Sequence, residues 1–120
     1  VGALPASGET GSDSPRLRAV RAQIDRHFDD PGMTVAALAA HAGWSEAYFR
    51  RAFRKAFGVP PLEYIRQVRL ENAKALLRTG YYSVTETAMR CGFDSVSYFS
   101  YTFRKTVGVT PSAYRDRFLS

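Results

Sequence analysis

Leu17, Val20, Ile24 and Phe28 recur at spacings of three and four residues, the period of a helix with one buried face. The pattern predicts a helix from Pro15, capped by Ser14, to about Asp29, where Pro31-Gly32 interrupts it. Thr34 then caps a short helix, about Val35–His41, with Val35, Leu38 and Ala39 inward, and Gly43 makes a turn. Ser45 caps a third helix, about Glu46–Phe57, on which Phe49, Ala52, Phe53 and Ala56 share a face flanked by Phe57, and Gly58 closes it. Pro60-Pro61 opens a long helix to about Arg78, ended by Gly80, with an apolar stripe of Leu62, Ile65, Val68, Ala73 and Leu76. Ser83 and Glu86 have the spacing of a capping box for a fifth helix, about Val84–Cys91. After Gly92, Asp94 or Ser95 caps a sixth helix to about Val107, with Phe99, Phe103 and Val107 inward. Gly108 ends it, and Thr110-Pro111 starts a short last helix. No segment alternates with the period of two that marks a half-buried strand. The expected fold class is all-α: about seven helices, forming two helix-turn-helix subdomains joined by a long linker helix.

The chain also repeats itself. Ala42-Gly43-Trp44, Tyr48-Phe49, Phe53-Arg54-Lys55, Gly58-Val59, Pro61 and Tyr64 are answered by Cys91-Gly92-Phe93, Tyr98-Phe99, Phe103-Arg104-Lys105, Gly108-Val109, Pro111 and Tyr114. The offset is 49 up to Gly92 and 50 from Tyr98 onward, so one residue is added in the second copy, where a turn belongs. Two helix-turn-helix units in one short chain point toward a reader of double-stranded DNA. The organisation expected is a linker or disordered segment over 1–14, then one DNA-binding region over 15–120. Within it lie a first unit (15–58), the linker helix (61–78) and a second unit (83–120).

Charge strengthens that reading. The 120 residues carry a net +6, yet residues 1–30 sum to −1 and residues 31–120 to +7. The positive field belongs to the repeat, and a field of that sign favours a polyanionic partner. No apolar run approaches the ~20 residues of a membrane span, so no membrane association is expected. A single cysteine excludes an internal disulfide and a multi-cysteine zinc site, and fits a reducing cytoplasm.

On the third helix, Ala47, Arg50, Arg51 and Arg54 fall opposite the apolar face. Small side chains near a helix start, followed by guanidiniums, suit a major groove, where arginine donates twice to guanine O6 and N7. Ala47, Arg50 and Arg51 are therefore candidate base contacts, and Ser45, Arg54 and Lys55 candidate phosphate contacts. The sixth helix turns Ser97, Ser100, Tyr101 and Arg104 outward, so Ser97, Ser100 and Tyr101 are base candidates and Arg104 and Lys105 phosphate candidates. With fewer long cations, this second face should read sequence less strictly. The linker helix, at about 18 residues, is ~27 Å long, enough with its turns to hold two reading helices near ~34 Å apart, in successive major grooves. Arg69 interrupts its apolar stripe; if buried, it needs a carboxylate partner, and it reads as a structural bridge between the units rather than a DNA contact.

Other conspicuous residues have plain readings. Cys91 matches Ala42 and fits a small core position. His27 and His41 fit the surface, Asp94 a cap, and Trp44 and Phe93 plugs between helices. No Ser-His-Asp set, phosphate loop or carboxylate pair is present, so neither enzymatic activity nor a cofactor or metal is expected. Two other classes compete with this reading: a DNA-repair methyl-transfer protein, which needs further cysteines, and a helical module binding an acidic protein.

Residues 16–118 resemble the DNA-binding domain of AraC/XylS-family transcription regulators. Gly92-Phe93-Asp94, Tyr98-Phe99-Ser100, Phe103-Arg104-Lys105, Gly108, Thr110-Pro111-Ser112 and Tyr114-Arg115 carry the resemblance, with Arg69-Leu70, Ala73 and Leu76-Leu77 in the long helix. It implies a bacterial, cytoplasmic regulator that binds upstream of promoters and activates through RNA polymerase. It also implies base-reading roles for Ala47, Arg50, Arg51, Ser97, Ser100 and Tyr101. One position departs: the family often has arginine where Tyr101 stands. Such domains usually close a longer regulator, so this domain is expected to be monomeric, with a sensing or dimerising domain upstream.

Overall fold

The computed structural model describes residues 14–119; of the 1–14 segment read as a linker, all but Ser14 lies outside it. The described residues form seven helices: α1 (Pro15–His27), α2 (Val35–Ala42), α3 (Glu46–Phe57), α4 (Pro61–Arg78), α5 (Val84–Arg90), α6 (Val96–Val107) and α7 (Pro111–Asp116). No strand occurs among them. The fold is all-α.

Local chemistry starts each helix where the pattern placed it. Thr34, Ser45, Ser95 and Thr110 each accept a hydrogen bond from the main-chain N–H three residues on. Ser83 and Glu86 complete both halves of the capping box. The N-caps Ser45 and Ser95 are equivalent, so Ser95 is the cap of α6 and the residue added in the second copy is Asp94.

The chain divides into two compact units. The first holds α1 and Gly32–Arg66; the second holds Phe28–Pro31 and everything from Gln67 onward. In the first, Leu17, Ile24, Leu38, Phe49, Phe53 and Ile65 are buried. In the second, Leu70, Ala73, Leu77, Ala88, Cys91, Phe93, Phe99, Phe103 and Tyr114 form the core, with Phe28 packed against it.

Two expectations are corrected. Helix α1 ends at His27, two residues early, because Phe28 leaves it to pack with the second unit. On α4 the inward residues are Pro61, Ile65, Leu70, Ala73 and Leu77; Leu62 is 54% exposed and Leu76 only partly buried. The buried stripe follows α4 through two different cores, and a single helical period does not describe it. Arg69, with the Asp30 and Asp94 carboxylates nearby, also donates to main chain: Nε to Phe28 O (2.8 Å) and Nη2 to Asp30 O (2.9 Å). Burial lowers its pKa, and the nearby Asp30 and Asp94 charges oppose that shift. Arg69 thus ties down the Phe28–Pro31 segment inside the second unit.

A polar clasp closes the first unit. Tyr64 Oη donates to Asp25 Oδ1 at 2.7 Å. Burial, then that bond and the Asp25 charge, push the phenol up to about 12 against the pull of Arg21. Its folded value lies above the ordinary one, so the clasp's contribution is complete below about pH 10 and lost as pH rises from there through 12. Trp44 fluorescence during thermal melts at about pH 9 and pH 11.5 reads this unit. The wild-type chain should lose more melting temperature between them than Tyr64→Phe; equal losses would refute the coupling.

Candidate nucleic-acid interface

What a helix shows to solvent depends on its roll, and in α3 a ladder of rings sets the roll. Trp44 packs edge-on to Tyr48 (5.3 Å between centroids) and stacks on Phe49 (6.2 Å). Phe49 meets Phe53, which meets Phe57 and Tyr64. Phe49 and Phe53 are fully buried. Arg16 reinforces the entry to the turn, with its guanidinium 5.2 Å from the Trp44 ring centre. With that face inward, Ala47, Arg50, Arg51 and Arg54 are all exposed, together with Lys55. Arg54 and Lys55 sit in the last turn, where cations also favour the helix dipole.

Ser45 has a prior commitment. Its Oγ accepts from Tyr48 N–H at 3.1 Å. The hydroxyl proton is still available to donate to a phosphate oxygen.

The sixth helix is held the same way. Phe93 and Phe99 approach to 4.9 Å, Phe99 and Phe103 to 5.7 Å, and Phe103 reaches Tyr114 at 5.5 Å. Phe93 is buried in this ladder and Trp44 is half-buried in the other, in keeping with plugs rather than stacking platforms. Ser97, Tyr101, Arg104 and Lys105 are exposed and Ser100 is half-buried. Ser100, Tyr101, Arg104 and Lys105, with Thr110, line one open cleft of about 660 Å³; Ser97 lies outside it. Lys105 Nζ lies 5.7 Å from the Tyr101 ring centre, so a cation rests on the phenol.

Two features escaped the sequence reading. Glu46 binds Arg50 through Oε2···Nη2 at 2.8 Å, so one proposed base contact already holds a carboxylate. The second is the Tyr101–Lys105 contact. Both pairs are four residues apart on one helix, a spacing that brings side chains together and was legible in principle.

The remaining candidates behave as surface and core. His27 and His41 are exposed on an open groove with Arg16 and Arg26 that no α3 residue lines. Cys91 is fully buried, and burial with the nearby Asp29 charge raises its thiol to about 11, which disfavours a thiolate. Among the described residues no His, Cys, Asp or Glu cluster could hold a metal, and no helix is long and apolar enough to cross a membrane.

The family pattern described as a helix-turn-helix domain matches residues 38–117, two thirds of the chain. The chain belongs to the AraC/XylS family. Among curated relatives of this AraC/XylS-type domain is the transcriptional activator RhaR of Yersinia pseudotuberculosis, 40% identical over 74 residues; the match covers 62% of this chain. The chain spans about a quarter (26%) of that relative's length. The C-terminal domain of AraT, a response regulator from Geobacillus stearothermophilus, superposes with a TM-score of 0.84 at 31% identity, covering 89% of each chain. The DNA-binding domain of the global transcriptional factor AdpA, solved with a target DNA, superposes with a TM-score of 0.80 at 38% identity, covering 86% of this chain and 92% of the other.

Proposed function

We propose that this AraC/XylS-type domain binds double-stranded DNA by sequence, as the reading module of a bacterial transcription activator, with α3 and α6 entering successive major grooves. The observation that carries the reading is the outward face of α3. Four side chains of graded reach, Ala47, Arg50, Arg51 and Arg54, stand exposed on a helix whose roll is set by two buried phenylalanines. A small residue at the leading end lets the helix approach, and the arginines behind it donate to base edges or phosphates. The relative AdpA, solved on its target DNA, supports the same use here.

The division of labour follows from chemistry. Arg50 and Arg51 read guanine edges, while Ser45, Arg54 and Lys55 grip phosphates. In the second unit Ser97, Ser100 and Tyr101 meet bases, and Arg104 and Lys105 meet phosphates. Hydroxyls accept either base type, so this half of the site is the looser one. The chain acts by binding rather than catalysis, works in the cytoplasm, and contacts RNA polymerase. In the whole protein a separate domain senses a signal or dimerises.

Selection of bound duplexes from a random pool tests the reading. A site in two parts, about one helical turn apart and stricter in the half under α3, is the expected product. Arg50→Ala or Arg51→Ala should each weaken binding to the selected site by ~1–3 kcal/mol and relax one base position. Arg54→Ala or Lys105→Ala should weaken all sequences alike and lower the salt slope by about one unit. If Arg50→Ala and Arg51→Ala both leave the selected sequences unchanged, the base assignment fails.

A further inference from the structure

A carboxylate on a face meant for DNA is an anomaly. Glu46 occupies the first turn of α3, next to Ala47 and one turn before Arg50, and its side chain is 42% exposed. Its oxygen accepts from Arg50 Nη2 at 2.8 Å, with Arg50 itself 57% exposed. In the free protein the contact is an ordinary i,i+4 pair, and such surface pairs stabilise little. Beside DNA phosphates the same carboxylate meets like charge, and a second donor besides Arg50 offsets that repulsion.

The major groove offers few. Guanine shows two acceptors there, and thymine an acceptor and a methyl group. Adenine presents its N6 donor beside the N7 acceptor, which repels a carboxylate, whereas cytosine presents the N4 amino donor with no acceptor beside it, and a glutamate oxygen accepts from it. The pair also acts on the arginine: a guanidinium held at one nitrogen keeps its other N–H groups directed, whereas an untethered Arg50 samples many rotamers. We infer that Glu46 is a specificity-determining residue of α3, one that selects cytosine beside the guanine read by Arg50 and positions Arg50 to read it. The inference rests on the DNA-reading role proposed above.

Random-pool selection with wild-type, Glu46→Gln and Glu46→Asp chains tests it, alongside binding to unselected duplex. The wild-type chain should enrich cytosine at the position adjoining the guanine that Arg50→Ala relaxes. Glu46→Gln should reduce that enrichment about fivefold to tenfold, because an amide accepts and donates without preference. Its affinity for unselected duplex should rise about twofold to fivefold, because one negative charge has left the interface. Glu46→Asp keeps the charge and should retain part of the cytosine preference without the gain on unselected DNA. A Glu46→Gln profile identical to wild type at every base, whatever its change in melting temperature, overturns the inference and leaves the DNA-reading role standing. A wild-type chain that enriches no sequence overturns both.

Discussion

Gly92→Ala is expected to cost the second unit about 3–5 kcal/mol of stability, whereas Gly43→Ala at the matching turn costs the first about 1–2. Both glycines have left-handed backbone, φ +89° and +80°. The shared penalty for placing a Cβ there is roughly 1–2 kcal/mol. Their surroundings differ. A Cβ on Gly43 meets nothing within 4 Å. A Cβ on Gly92 runs into the carbonyl oxygen of Phe28 and lies 2.8 Å from Arg69 Nε. The carbonyl is main chain and cannot swing aside as a flexible side chain would. The Arg69–Phe28 bond must stretch or break, and a bond to a charged donor is worth about 1.5–3 kcal/mol. Urea denaturation followed by circular dichroism compares the two variants; equal costs would refute the account.

Arg69→Ala is the companion case, with an expected loss of about 3 kcal/mol. It removes the donors to Phe28 O and Asp30 O together. Arg69→Lys should recover less than half, because an ammonium is a single point and the two carbonyls need a fork. Gly92→Ala and Arg69→Ala act on the same carbonyl, so the double variant should cost clearly less than the sum of the two. Folded Arg69→Ala protein should keep the wild-type selected sequence, since the Arg69 donors are spent on Phe28 O and Asp30 O. A changed base preference would instead make Arg69 part of the interface.

These two variants also mark where the chain became illegible. The turn at Gly92 was evident in the sequence, and so was the oddity of an arginine in an apolar stripe. Their common partner, the carbonyl of Phe28, lies 41 residues from Arg69. No periodicity reports on a main-chain acceptor so distant. A buried arginine calls for acceptors and negative charge, and only the path of the chain reveals that Phe28 O, Asp30 O and the Asp30 charge supply them. The α4 stripe misled for a related reason. Leu62 and Leu76 fit one uninterrupted helical face, whereas the helix serves one core up to Arg66 and another from Gln67, and Pro61 and Leu77 became the buried residues.

The candidate interface was more legible. Phe49 and Phe53, and Phe99 and Phe103, announce an inward face, and whatever stands opposite must face out. Ala47, Arg50, Arg51, Arg54, Ser97, Tyr101 and Arg104 follow from that geometry alone, and all are exposed. The opposite wheel position does not say what an exposed side chain holds. Arg50 holds Glu46, and Lys105 rests on Tyr101, because flexible chains choose partners among close neighbours.

By itself, then, the sequence determined the seven helices, their caps, the duplicated unit and the two outward faces. Those are local properties, set by hydrogen bonds three and four residues long and by the partition of apolar side chains. Tertiary structure alone decided that Phe28–Pro31 would pack with the second unit and that Arg69 would bind the main chain of that segment. Those outcomes depend on which distant segments meet. Such meetings are selected by the closure of whole cores, and no stretch of chain encodes them alone.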